Sequence, residues 1–281
     1  MTMQIAVVGY GVVGKAMKQL FPDAVIYDVL PGVASSCQAV NACDIAFVCV
    51  PTPQSPDGSC DISAVEDVVS WVQCPLIVIR STIPPGTCKT LSARYGKRIV
   101  FQPEYLGETV AHPFADMRGR EFVVLGGEGD DTAQVADAYC RVHHSSLRFY
   151  FTDSTTAELA KYMENCFFAT KVIFCHEFYQ LAQALGVDYH QLREAWLADT
   201  RVSRDHTFVY PDQPGFSGKC LPKDLSAVIK AGEQAGYDPQ LLRAVKQVNA
   251  HIRRGCQEQS AAKPHVEARK EAVPELARRV G

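Results

Sequence analysis

Residues 4–14 read Gln-Ile-Ala-Val-Val-Gly-Tyr-Gly-Val-Val-Gly, and this stretch decides the fold. Its apolar run is too short for a helix or a membrane span and has the length of a buried strand. The run ends on Gly9, and Gly9, Gly11 and Gly14 form a G-x-G-x-x-G. Residues 12–21 then continue at helical spacing. The first glycine permits a tight turn, the second lets backbone approach a pyrophosphate, and the third lets the helix pack close to the strand. The opening turn of the helix, with Val12 and Val13, then offers amide donors to an anion. Asp28 lies 19 positions after Gly9 and closes a second short strand at residues 24–27, where a carboxylate meets ribose hydroxyls. Strand, turn, helix and Asp28 together predict a dinucleotide site that favours NAD over NADP.

The pattern continues outward. Short apolar runs at 45–50, 76–79, 99–102 and 121–125 alternate with helical or polar segments. Such alternation argues for βαβ units and a mostly parallel sheet. Val50, Pro51 and Thr52 follow the third strand, and Ser81 and Thr82 follow the fourth. Both groups therefore fall at the carboxyl edge where open α/β sheets bind ligands. Residues 54–63 are turn-rich and read as a surface loop. From residue 154 to 185 the spacing is helical without a breaker, with Ser154 or Thr155 as cap and Glu158 as its capping-box partner. Further helices are expected at 189–198, 222–235 and 239–254, with an irregular stretch at 199–218. The predicted fold is α/β: a Rossmann-like doubly wound parallel sheet over residues 1–152, followed by an all-helical domain over 153–256. Residues 257–281 are charged, poor in aromatics, and read as a frayed tail.

Composition narrows the function. Of 281 residues, 47% are hydrophobic and 21% charged, ordinary values for a packed protein. A net charge of -3 argues against a nucleic-acid partner held by phosphate neutralisation. No apolar run approaches the ~20 residues of a membrane span. The N-terminus lacks a basic region ahead of its apolar run, so it reads as a first strand and not as a signal peptide. Eleven cysteines are scattered and none forms a C-x-x-C pair, so no metal site is expected. An odd count of unpatterned thiols implies a reducing, cytoplasmic setting.

Three patterns carry chemistry. Glu104 and Glu108 follow the fifth strand in Pro-Glu-Tyr-Leu-Gly-Glu. Lys161 and Asn165 lie four apart on the long helix and share one face, an arrangement more often found on a solvated surface. The third pattern is sharper: residues 214–224 read Pro-Gly-Phe-Ser-Gly-Lys-Cys-Leu-Pro-Lys-Asp. Pro222 suits the first turn of a helix. A thiol at that helix start, beside Lys219 and Lys223, is expected to be a better nucleophile than an ordinary cysteine. Asp224, one turn on, is placed to face the same pocket. The other ten cysteines read as buried structural thiols.

With these residues in hand, the chain resembles the UDP-glucose/GDP-mannose dehydrogenase family. The match runs from Ile5 to about Arg253 and includes VVGYGVVG, CVPTP, RSTIPPGT, QPEYLGE, ELAKYMENCFFATKVIFCHE and PGFSGKCLPKD in the family's order. The resemblance implies oxidation of a primary alcohol to a carboxylate with two NAD molecules. Cys220 would trap the aldehyde as a thiohemiacetal and carry the later thioester. Lys161 and Asn165 would stabilise the oxyanion, and Asp224 would order or activate water. Thr82, Glu104 and Glu108 match positions with water-holding, substrate-backbone and proton-transfer roles. On the same ground Ser81, Thr82, Glu108 and Lys223 would border the cofactor. Glu104, Tyr105, Leu106, Lys161, Asn165, Arg201, Phe216 and Gly218 would border the substrate. A homodimer is expected, since apolar surface on the central helices needs cover.

The pattern also departs from the family. Tyr105 stands where Phe is usual, Thr109 where Gly is frequent, and Ser217 replaces a glycine. Arg201, in Asp-Thr-Arg-Val, lies farther from Cys220 than the family spacing suggests. Family members normally carry a third, C-terminal α/β domain that closes over the nucleotide, and nothing after residue 257 would build one. The alcohol therefore stays open: a sugar nucleotide, a smaller alcohol, or one borne on another carrier. Two other readings remain, a two-electron 3-hydroxyacid or 3-hydroxyacyl dehydrogenase and a non-catalytic NAD-binding subunit.

Overall fold

The structure, a computed structural model, describes residues 3–30, 32–33, 35–106, 117–143 and 147–262. The elements of the first half are β1 (Ile5–Val8), α1 (Val12–Leu20), β2 (Val25–Tyr27), α2 (Cys37–Asn41), β3 (Ile45–Val48), α3 (Ser63–Trp71), β4 (Leu76–Ile79), α4 (Thr87–Tyr95), β5 (Ile99–Phe101), β6 (Phe122–Gly126), α5 (Gly129–Val142) and β7 (Arg148–Thr152). The second half holds α6 (Ser154–Ala184), α7 (Tyr189–Leu197), α8 (Leu221–Gln234) and α9 (Gln240–Ala262).

The seven strands form one sheet in the order β2-β1-β3-β4-β5-β6-β7. Every pairing is parallel except β5 with β6. Strands β1, β3 and β4 are buried on both faces, which is why they read as unbroken apolar runs instead of alternating ones. One face packs Val65, Val69 and Leu91 against Val48 and Ile79. The other packs Met17, Phe21 and Tyr139 against Phe47, with Phe21 and Phe47 stacked at 5.6 Å. Because β1 lies between β2 and β3, the winding reverses there, and a crevice opens at the carboxyl ends of β1 and β3.

The expected doubly wound sheet and helical second half are present. The differences have local causes. β7 was not expected: it is an edge strand whose residues Tyr150 and Phe151 are exposed, so it lacks a clean inward-outward alternation. The cap of α6 is Asp153, whose carboxylate accepts from the Thr156 amide at 3.2 Å and its hydroxyl at 2.5 Å. Glu158 is therefore not a capping-box residue. It leaves its own helix and accepts from the amides of Gly86 and Cys88 at the start of α4. Burial raises the Glu158 carboxyl's proton affinity against these donors. Residues 54–60 are more than a surface loop: Cys60 is buried and packs with Tyr162 of α6 and Ala227 of α8. Helix α9 continues to Ala262, into the stretch expected to fray. Cys37 and Cys140 are exposed, contrary to the expectation of ten buried structural thiols.

Helix α6 joins the two halves. Its 31 residues make a rod of about 46 Å. It touches β5, β6 and α4 on one side and α7, α8 and α9 on the other. Its start lies so close to β6 that a Cβ on Gly126 would stand 2.4 Å from the Ala157 Cβ. No helix of the described residues is long and apolar enough to cross a membrane.

Candidate active site

The crevice has a nucleotide end made of backbone. Gly9 has a φ of +94°, and a side chain there would meet the Cys49 carbonyl oxygen at 2.6 Å. A Cβ on Gly14 would lie 1.9 Å from the Gly9 oxygen, so α1 can pack on β1 only through hydrogen. Around Gly11 the position of a Cβ is empty to 4 Å. Gly11 is the N-cap of α1, no side chain caps that helix, and no acidic residue lies in its first turn. Val12 is 73% exposed beside it, and Val13 is half-buried. The open amides and the vacant volume at Gly11 fit a pyrophosphate. Asp28 fits the ribose: its carboxylate accepts from the amides of Tyr10 at 2.6 Å and Leu30 at 2.9 Å, which fixes it beside the glycine turn. The exposed side chains that follow, Val29 and Leu30, offer no cation for a 2′-phosphate. The ends of β3 and β4 are tied together where the Ser81 hydroxyl donates to the Val50 carbonyl at 2.6 Å. Thr52 is buried there, Pro51 is exposed and Thr82 half-buried. The Cys60 thiol points to the carbonyls of Thr52 and Thr82 at 3.9 and 3.5 Å.

The chemical end is made of side chains from distant segments. Lys161 donates to the Asn165 Oδ1 at 3.2 Å and pairs with Glu164 at 3.3 Å. Asn165 in turn donates from Nδ2 to Asp224 Oδ2 at 2.5 Å, across 59 residues of sequence. Lys223 pairs with the other Asp224 oxygen at 2.5 Å. Lys161, Asn165 and Asp224 are all buried, so each polar atom needs its partner. Cys220 is the N-cap of α8, exposed, with its carbonyl accepting from the Asp224 amide at 2.9 Å. It therefore sits one helical turn before the residue that closes the network. Burial pushes the Cys49, Cys74 and Cys166 thiols up to about 12.

Glu104 is held from all sides. It pairs with Arg80 and, at 2.9 Å, with Arg120, and its Oε1 also accepts from the amides of Tyr105 at 2.7 Å and Leu106 at 2.6 Å. Burial alone would raise its proton affinity; Arg80 and Arg120 reverse that and hold the carboxyl below the usual glutamate range. These bonds anchor the Tyr105–Leu106 backbone to the carboxylate. Arg80 is wholly buried, and its guanidinium also touches the Met17 and Met117 sulfurs and the Tyr139 hydroxyl.

Other expected residues fall elsewhere. Glu108 lies outside the described residues. Phe216 is a core residue: its ring packs with Cys166, Leu225 and Ile229, and its backbone is held by the Asn249 side chain at 2.8 and 3.1 Å. Gly218 is exposed with a φ of +83°. Arg201 is 87% exposed along its side chain and pairs with Asp199. Sequence reasoning missed Arg80, Arg120 and Tyr162 and misread Glu158. Arg80 had a signal, since it directly follows four buried apolar residues of a central strand.

These features define a class: an α/β dinucleotide-binding domain whose crevice borders a helical domain carrying an exposed cysteine and a buried Lys-Asn-Asp network. Residues 16–143 match the NAD binding domain of the UDP-glucose/GDP-mannose dehydrogenase family, and residues 155–251 match its central domain. The chain is 33% identical over 237 residues to a UDP-glucose 6-dehydrogenase of Pseudomonas aeruginosa, covering 77% of this chain and 51% of that one. It is 31% identical over 218 residues to the same-named protein of Rickettsia typhi, covering 73% and 49%. A UDP-glucose dehydrogenase structure from the archaeon Pyrobaculum islandicum superposes with a TM-score of 0.78 at 30% identity, covering 90% of this chain and 69% of that one. The chain belongs to the UDP-glucose/GDP-mannose dehydrogenase family. It spans about half the length of the curated relatives it matches.

Proposed function

We propose that this chain oxidises a primary alcohol, a nucleotide sugar such as UDP-glucose or a related alcohol, to a carboxylate through a thioester on Cys220. The observation that carries the reading is the Lys161–Asn165–Asp224 network, which ties the spanning helix to the turn that follows Cys220. The relatives named UDP-glucose 6-dehydrogenase support the substrate class. The glycine turn, Asp28 and the ends of β3 and β4 would hold NAD. When bound, NAD supplies a hydride acceptor, one molecule for each of two two-electron steps.

The chain's own residues do the rest. The Cys220 sulfur adds to the aldehyde carbon, forming a carbon–sulfur bond and an oxyanion. The Lys161 ammonium favours that oxyanion. Asn165 keeps the ammonium and Asp224 in register. Once the second hydride has left, the acyl group rests on sulfur as a thioester. Water ordered by Asp224 attacks it, the carbon–sulfur bond breaks, and the thiol returns. Splitting the oxidation this way replaces one hard step with two easier ones. The setting we infer is the cytoplasm, where the thiol stays reduced. A homodimer would cover Met163, Phe167, Phe174 and Leu181, which stand exposed along α6.

The test is stoichiometry on UDP-glucose and a panel of simpler alcohols. Two NADH per carboxylate are expected, and Cys220→Ser should lower turnover by at least about 10³-fold with the unfolding midpoint unchanged. One NADH per substrate with a tolerant Cys220→Ser variant would favour a two-electron dehydrogenase. NAD binding without oxidation of any alcohol would favour a non-catalytic subunit.

A further inference from the structure

We propose that the ring of Tyr105 is a positioning residue that holds the Lys161 ammonium from the opposite domain. Among the described residues Lys161 has three anchors. Asn165 and Glu164 lie on its own helix, at 3.2 and 3.3 Å. The third is the Tyr105 ring, whose centroid lies 5.0 Å from the Lys161 nitrogen. It is the anchor that comes from the sheet domain. Without it the partners of the ammonium among the described residues are Glu164 and Asn165, which move with α6.

The ring is itself held. The carboxylate of Glu104 accepts from the Tyr105 and Leu106 amides, and Arg80 and Arg120 hold that carboxylate to the sheet. Phe122 of β6 packs on the ring at 5.4 Å, and the Arg120 guanidinium stands 5.5 Å from its centroid. Force is thus carried from the sheet, through Glu104 and Tyr105, to Lys161, Asn165 and Asp224. A cation over an aromatic face is attracted by the ring's quadrupole, and the attraction strengthens where water is excluded. Lys161 is 8% exposed, so the pair is largely desolvated. The attraction belongs to the ring face and not to the hydroxyl. Phenylalanine would therefore serve, and an aliphatic side chain of similar bulk would not.

The functional consequence rests on the proposed role of Lys161 at the oxyanion, but the contact can be tested without turnover. The NAD-loaded chain is exposed briefly to acetic anhydride, and acetylation of each lysine is read by peptide mass spectrometry. Lys171 is the internal control: it is 9% exposed on the same helix and bound to Ser203 at 2.6 and 2.8 Å. Tyr105→Leu should raise the labelling rate of Lys161 by about three- to tenfold while Lys171 stays constant. Tyr105→Phe should match the unaltered chain. Lys161 labelling unchanged in Tyr105→Leu would overturn the proposal. So would equal damage from Tyr105→Phe, or Lys171 rising in step, which would mark a general loosening. Where the chain turns over, Tyr105→Leu should lower kcat with KM little changed. Loss of turnover in every form, with the labelling contrast intact, would sink the reaction and spare the contact.

Discussion

The glycine turn and the Lys161 network are both sites, made in opposite ways. At Gly9, Gly11 and Gly14 the site is a shape left by missing side chains, and the strand and helix on either side supply the donors. At Lys161, Asn165 and Asp224 the site is a set of side chains brought together by folding, with a single 2.5 Å contact closing a gap of 59 residues. The first depends on what a few adjacent residues lack. The second depends on the whole sheet, the spanning helix and the start of α8 being in place. The two should therefore break differently: the backbone site by added atoms, the side-chain site by removed ones.

The largest effect belongs to the side-chain end. Removing the charge of Glu104 leaves Arg80 and Arg120 facing each other in the interior. Breaking a buried ion pair by deleting one partner costs about 3–5 kcal/mol, and Glu104→Gln should lose that much in urea unfolding. The pH dependence follows the same logic. Glu104 has its folded-state proton affinity lowered below the reference of 4.5, so its contribution is present in full above that value and disappears as the pH falls through the lower folded value. The unaltered chain should shed stability on acidification below about pH 4.5 more steeply than Glu104→Gln, which has no carboxylate to protonate there. Parallel acid titrations of the two would contradict the anchoring role.

The contrast also explains what could be read from the sequence. The glycine turn and Asp28 are local: each residue acts within one strand-turn-helix unit, and spacing alone reports it. The cysteine region was legible because glycine, cysteine, proline and two lysines lie within eleven consecutive residues. Glu158 was misread because its partners, the amides of Gly86 and Cys88, lie 72 and 70 residues away, whereas a capping box looks three residues back. The loop that carries Cys60 read as surface because it is turn-rich, and only α6 and α8 packing onto it bury the thiol. Arg80 and Arg120 were missed since an ion pair has no spacing rule across a sheet. β7 escaped because an edge strand carries no strict alternation.

At the backbone end, Gly14→Ala should follow in size. Its Cβ would lie 1.9 Å from the Gly9 oxygen and 2.9 Å from the Gly9 carbon, so backbone must move. Overpacking of this kind costs about 1–3 kcal/mol, and the displaced turn should lose NAD as well. A variant of unchanged stability and affinity would mean that the helix does not seat on the strand as described.

Gly11→Ala should be the gentlest on the fold and the most selective for the ligand. Gly11 has φ −71° and ψ −158°, a conformation open to alanine, and no atom lies within 4 Å of its added Cβ. The loss of a good cap residue is the only cost to folding, less than about 1 kcal/mol. Yet the methyl group would stand where the pyrophosphate approaches the backbone. NAD affinity, measured by titration calorimetry, should fall by about tenfold, or about 1.4 kcal/mol, while the apo-protein melts near the unaltered temperature. Loss of both together would place Gly11 with Gly14, as a packing glycine. Loss of neither would move the phosphate away from the start of α1. Only affinity lost from an intact fold agrees with a site formed by an absence.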